Sequence, residues 1–318
     1  MFDAFIQSQL IFLGINIIAA FSFYLPFKTG QVSLGQAGFM AVGAYASGIV
    51  TVKWGLPFPL GLAFGGLVGA IIGLGVGFPA LRIKGIYLLL LTLGFAQIVQ
   101  VAALTWSYTG AASGFQGIPQ QPNILAYVVG TVVVLILLFR QLERSSLGRA
   151  MMAIHSDEDA AELMGVDIVR MKLLAFSVGA GIGGIAGALF AHMTTYVDST
   201  TFDILLGVQI LMFVVVGGGT TYWGPVAGAS ILYLLPEFLR SLRGLMEDIP
   251  ESWTSDPPWD GIYQWTYDFL NFENEKRWIL YGLILILMMI LRPQGILTRG
   301  PIRLPFIGRR RRKPAAAQ

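Results

Sequence analysis

Between Asp3 and Glu143 the chain carries no acidic residue, and the only basic residues in that stretch are Lys28, Lys53, Arg82, Lys84 and Arg140. A soluble domain cannot be built this way. About a quarter of an average soluble chain is charged, because its core needs a polar covering. Here 12% of the chain is charged and 55% is hydrophobic. Hydrocarbon reverses the requirement, since an ionised side chain at the centre of a spanning helix costs roughly 2.5–3.5 kcal/mol or more. The acid-free stretch therefore selects a membrane-embedded chain over a large soluble enzyme. The 39 glycines are spread through apolar runs and not gathered in a linker, a pattern suited to close helix packing in lipid.

A spanning helix needs about 20 mainly apolar residues. Such runs lie near 8–26, 33–51, 59–79, 85–106, 122–139, 172–193, 203–219, 225–242 and 277–291. They are long and lack period-two alternation, so they read as helices and not strands. The expected fold is all-α and polytopic, with about nine transmembrane helices in a range of about eight to ten. One transmembrane domain covers 1–297, and a basic tail covers 298–318. The last run is the shortest, with 14 residues between Arg277 and Arg292.

Lys and Arg near the span ends set the orientation. The tail carries Arg299, Arg303, Arg309, Arg310, Arg311, Arg312 and Lys313, and the 140–171 loop carries Arg140, Arg144, Arg149 and Arg170. Nine spans put both on one face together with Arg82 and Lys84, so that face is cytoplasmic and holds the C-terminus. The 244–276 stretch then lies outside as an acidic, Trp-rich insertion. Arg240 and Arg243 run against the trend, and Glu237 stands one helical turn from Arg240. The first run has no basic leader or small-residue cleavage site, so it is expected to remain as a span. The Arg309–Lys313 run suits anionic lipid at the membrane surface, and no nucleic-acid role is assigned to it.

No phosphate-cradling GxxxxGK[ST] loop occurs, there is no cysteine, and the two histidines, His155 and His192, are isolated. No HExxH, no Ser/His/Asp arrangement and no carboxylate pair at membrane depth is present. The expectation is no catalytic residue, no metal site and no cofactor bound by this chain. A passive pore, an ion-gradient carrier, or a carrier driven by a separate subunit is left.

Several uncharged polar groups fall in or near spans: Gln31, Ser33, Gln36, Tyr45, Thr92, Gln97 and Gln100. Each has two readings. One is hydrogen bonding between helices. The other is a translocation path lined with neutral polar groups, for which Gln31, Ser33, Gln36, Tyr45, Thr92 and Gln97 are the candidates. Gly65, Gly66, Gly69, Gly73, Gly75 and Gly77 are spaced for packing.

The 140–171 loop reads as two short helices. Leu147, Met151 and Ile154 share a face of the first. Ser156 is the expected cap of the second, with Asp159 at the third position, Asp157 and Glu158 at its positive end, and Gly165 at its left-handed exit. This is either a rigid knob that docks into a partner or a well-capped connection.

Within and beside that loop, SLGRAMMAIHSDEDAAELMGV and KLLAFSVGAGIGGIAGALFA resemble the branched-chain amino acid ABC transporter permease family of the LivM type. The likeness extends to GQVSLGQAGFMAVGAYAS (30–47), ALRIKGIYLLLLTLGFAQIV (80–99), TGAASGFQGIP (109–119), VVVGGGTTYWGPVAGA (214–229) and RPQGIL (292–297). The resemblance implies a permease subunit of an ATP-driven importer in a bacterial or archaeal cytoplasmic membrane. Its implied partners are a second homologous permease subunit, two ATP-binding subunits that hold ATP and Mg, and an extracytoplasmic substrate-binding protein. It makes the loop the coupling element, with Arg149, Ser156, Asp157, Glu158, Ala161, Glu162 and Gly165 facing an ATPase. Branched-chain amino acids are the implied substrates, with other neutral amino acids, urea or short amides as alternatives. The chain departs from the family at His155-Ser156, where Arg-Glu is frequent, at Ala111, where a second Gly is usual, and in the length of the 245–276 stretch.

Overall fold

Each long apolar run becomes a helix. The computed structural model describes residues 2–83, 85–247, 274–291 and 295–297. In chain order the helices are α1 (Phe2–Phe27), α2 (Gln36–Val52), α3 (Phe58–Ala80), α4 (Ile86–Thr105) and α5 (Ile124–Arg144). The short α6 (Ser146–Ser156) and α7 (Glu158–Leu163) follow, then α8 (Ile168–Thr194), α9 (Ile204–Gly217), α10 (Trp223–Glu247) and α11 (Asn274–Leu291). All the expected spans coincide with helices. By length and composition α1, α3, α4, α5 and α8 are each able to cross a membrane, and α2 and α9 are shorter apolar helices. At about 1.5 Å per residue, α9 reaches only about 21 Å. The last helix begins at Asn274, three residues before the expected start. The acidic insertion narrows accordingly, because α10 runs on to Glu247. Residues 248–273, the bulk of the acidic, Trp-rich insertion, and the basic tail 298–318 lie outside the described residues.

Burial sorts the spans. The apolar windows of α1 and α8 are 72% buried, whereas those of α4 and α5 are 22% buried, so the first pair is interior and the second peripheral. α8 packs most extensively on α3, α2 and α1. The packing is backbone against backbone. A Cβ on Gly65 would fall 2.9 Å from the Gly43 carbonyl oxygen, and one on Gly69 would fall 2.8 Å from that of Ala180. Any side chain at Gly43, Gly184 or Gly187 would enter the backbone of Gly184, Gly65 or Met40, respectively. Small residues let helices approach this closely where lipid supplies no hydrophobic drive between them. Of the α3 glycines expected to pack, Gly75 does not, since nothing lies within 4 Å of its Cβ position. It falls on the face of α3 turned away from α8.

At the end of the bundle remote from α6 and α7, the 107–119 loop folds over the ends of α2 and α8. Phe115 and Val197 exchange backbone hydrogen bonds of 2.8 and 3.0 Å. The Lys53 ammonium donates to the Tyr108 carbonyl at 2.8 Å and sits over the Tyr108 ring. Ala111 occupies the left-handed region at φ 49°, so the departure from Gly falls where the backbone favours glycine. In the adjoining loop the Thr200 hydroxyl donates to Asp198 and holds that carboxyl below its ordinary value, against the opposing effect of partial burial. His192 is fully buried, with one ring nitrogen 2.9 Å from the Ala188 carbonyl and the other 3.2 Å from the Thr51 hydroxyl. It is a satisfied packing residue.

Candidate functional site

The α6–α7 knob is built from caps. Ser145 opens α6 by accepting from the Gly148 N–H at 3.2 Å. Gly148, Met151 and Ile154 form the buried face. Leu147, expected on that face, is 42% exposed, because the chain turns at Ser145 and brings Gly148 against the Leu142 carbonyl. The expected cap of α7 is displaced by one residue. Ser156 still belongs to α6, its hydroxyl bonded to the Met152 carbonyl at 3.0 Å. Asp157 is the cap, accepting from the Ala160 N–H at 3.0 Å, which moves Asp159 from the third position to the second. Both side chains are competent caps, and the continuing hydrogen bonds of α6 decide between them.

Gly165 is the left-handed exit, at φ 83°. Its N–H donates to the Glu162 carbonyl at 2.9 Å, and that of Val166 donates to the Ala161 carbonyl at 3.1 Å. These two bonds define a Schellman termination. Glu158 reaches Lys172 of α8 at 2.8 Å, tying α7 to the following span. Ala161 is buried and seats α7 from within, whereas Arg149, Ser156, Asp157, Glu162 and Gly165 are exposed and Glu158 is half-buried. Arg149 closes the end of α5 by donating to the Arg144 carbonyl at 3.0 Å. The tip carries two residues that motif reading passed over. Leu163 is 89% exposed and Met164 86% exposed.

The path candidates divide. Gln31, Ser33, Gln36 and Thr92 are buried at the knob end of the bundle, around the start of α2. Three are occupied within the chain. Thr92 accepts from the Leu34 N–H at 3.0 Å, Ser33 accepts from the Gly35 N–H at 3.1 Å, and Gln31 accepts from the Thr29 hydroxyl at 3.2 Å. The Gln36 carbonyl oxygen accepts from Ser22 at 3.1 Å, while its buried Nε2 has no partner among the described residues. Tyr45 lies nine residues along α2, about 13.5 Å away, and Gln97 is half-buried on α4. Neither joins the cluster.

Sequence reading also missed a buried ion pair. Lys28 Nζ stands 3.1 Å from Glu143 Oε1, with the two side chains 3% and 1% exposed. The same oxygen accepts from the Tyr24 hydroxyl at 2.8 Å and from the Tyr222 N–H at 2.7 Å. The available signal was Glu143 itself, the residue that ends the acid-free stretch. A lone carboxylate at the end of a span requires a cation.

The family described as the branched-chain amino acid transport system permease component matches residues 5–289, and the chain belongs to it. The LivM permease protein of the high-affinity branched-chain amino acid transport system of Salmonella typhimurium is 30% identical, over 92% of this chain and 68% of its own. The LivM protein of Escherichia coli is similar to the same degree and over the same shares. The fructose import permease protein FruG of Bifidobacterium longum is 25% identical over 79% of this chain and 78% of its own. No solved structure matches.

Proposed function

We propose that this chain is one permease subunit of an ATP-driven importer for branched-chain amino acids, in a bacterial or archaeal cytoplasmic membrane. It supplies half of a translocation path. A second permease of the same family supplies the other half, two ATP-binding subunits hold ATP and Mg, and an extracytoplasmic binding protein delivers substrate. The observation that carries the reading is the α6–α7 knob. Both short helices are capped, the Schellman turn and the Glu158–Lys172 pair fix their direction, and the tip exposes Leu163 and Met164. Two large apolar side chains on a charged cytoplasmic loop suit a partner surface, and rigid anchors of this kind concentrate binding energy. Exposed Glu162 beside the tip and exposed Asp157 at the other end of α7 add charge to the surface that would meet a partner cleft.

Substrate passage is assigned to neutral polar groups, led by Gln36. A buried amide donor without a protein partner costs free energy, and a zwitterion or water at that point would satisfy it. The relatives named for sugars match at lower identity than the LivM proteins of the two enteric bacteria, which favours amino acids over other solutes. The test is uptake of labelled leucine, fructose and urea into vesicles containing the whole complex, with and without ATP, and with ion gradients imposed or collapsed. ATP-dependent leucine uptake is the expected result. Uptake that persists without ATP and requires an ion gradient would overturn the reading, and ATP-dependent fructose or urea uptake would reassign the substrate.

A further inference from the structure

We propose that the buried Lys28–Glu143 pair is a transmission pin. It makes the knob and the α9–α10 turn move as one body, and so positions the coupling element for transport. The inference rests on the reading that α6–α7 docks an ATPase. Glu143 lies at the root of the knob, two residues before the Ser145 cap of α6. Its Oε1 collects the Lys28 ammonium and Tyr24 hydroxyl of the α1 end and the Tyr222 N–H of the α9–α10 turn. The same elements meet again beside it. The His155 ring of α6 lies 5.6 Å from the Phe27 ring, and Phe27 also fills the space where Gly219 lacks a side chain. On the far side of the turn, Ile296 and Leu297 donate to the Val216 and Gly217 carbonyls at 3.0 Å each. The 214–229 stretch and the described residues 295–297 thus converge on the base of the knob.

The chemistry of the pair argues for more than stability. Well-packed apolar residues commonly replace a buried ion pair with no loss of stability, but separating the partners strands a charge away from water. An ion pair therefore enforces one register between the segments that carry it. Gly218, at φ 104° just before the turn, gives α10 a point about which to move with the knob. Energetic coupling requires such an element with two arrangements that both sites bias.

The test uses the whole reconstituted importer and a chain with no native cysteine. Spin labels on Ala153→Cys, an exposed position of α6, and on Thr220→Cys report the distance between the knob and the α9–α10 turn. The pair is altered by Glu143→Gln, and by Lys28→Met with Glu143→Leu, which removes both charges together. In the parent the distance should stay narrow and unchanged between nucleotide-free and ATP-bound states. In both variants it should broaden or shift with nucleotide, and leucine taken up per ATP hydrolysed should fall by about tenfold, within the usual range of coupling between sites. ATPase co-purification should be retained. Two outcomes overturn the pin: a double variant with parental distance and parental coupling ratio, or a double variant that never assembles, because the pair then serves the fold. Docking is read separately. If ATPases fail to bind the parent, the knob reading fails, while the label distance in the isolated permease still tests the pin.

Discussion

The α2–α3–α8 seam and the knob end of this bundle solve the same problem by opposite means. The seam removes side chains, so that Gly43, Gly184, Gly65 and Gly187 bring carbonyls against α-carbons. The knob end keeps polar groups and closes them with partners, through the Asp157 cap, the Gly165 turn, the Glu158–Lys172 pair and the Lys28–Glu143 cluster. In lipid, both routes fix geometry without a hydrophobic driving force between helices. Their sensitivities differ. The seam cannot accept volume, and the knob end cannot accept the loss of a partner or a left-handed residue.

The strongest way to break the seam is Gly187→Val. The new side chain enters the Met40 backbone, and overpacking against backbone should cost about 3 kcal/mol or more. The thermal midpoint in detergent should collapse, or the subunit should vanish from the membrane. Gly75→Ala on the open face of α3 meets nothing within 4 Å and should leave the midpoint unchanged or slightly raised, a gain of at most about 1 kcal/mol. Equal damage from both would erase the distinction between packed and open glycines.

The knob should respond locally. Gly165→Val places a β-branched residue at φ 83°, at a cost of about 1 kcal/mol or more. Hydrogen exchange in α7 should quicken while the spans stay protected. Asp157→Ala should have a similar effect of about 1 kcal/mol, and Ser156→Ala almost none. Protection of α7 lost with Ser156→Ala but kept with Asp157→Ala would restore the original capping register. Ala111→Gly acts in the opposite direction, because it relieves a non-glycine residue at φ 49°. Relief of at most about 1 kcal/mol is expected, visible as a small rise in thermal midpoint.

Legibility followed the range of the interaction. The spans were readable because lipid requires an uninterrupted apolar run and helical hydrogen bonding within each segment. Gly165 was readable because a helix exit is a local event, and so was the Glu237–Arg240 pair, which stands at 3.6 Å. The register of the α7 cap was not, because Ser156 and Asp157 are chemically equivalent until α6 is known to continue through Ser156. Leu163 and Met164 looked like ordinary apolar residues until their exposure was known. The Lys28–Glu143 pair joins positions 115 residues apart, so no motif contains both. The division of the path candidates was equally hidden. Gln31 and Ser33 find partners within their own loop, whereas those of Gln36 and Thr92 depend on where α1, α2 and α4 meet.

The central claim is that the knob exists to present its apolar tip. Leu163→Asp with Met164→Asp tests it most directly, because both side chains are exposed and neither supports the bundle. The measurement is recovery of the ATP-binding subunits with the detergent-extracted permease, alongside the permease's own thermal midpoint. Parental membrane insertion and midpoint are predicted, with ATPase recovery reduced by at least about tenfold, the scale of a lost binding anchor. Parental recovery from a correctly inserted double variant would contradict the account and leave α6–α7 as a connection between spans.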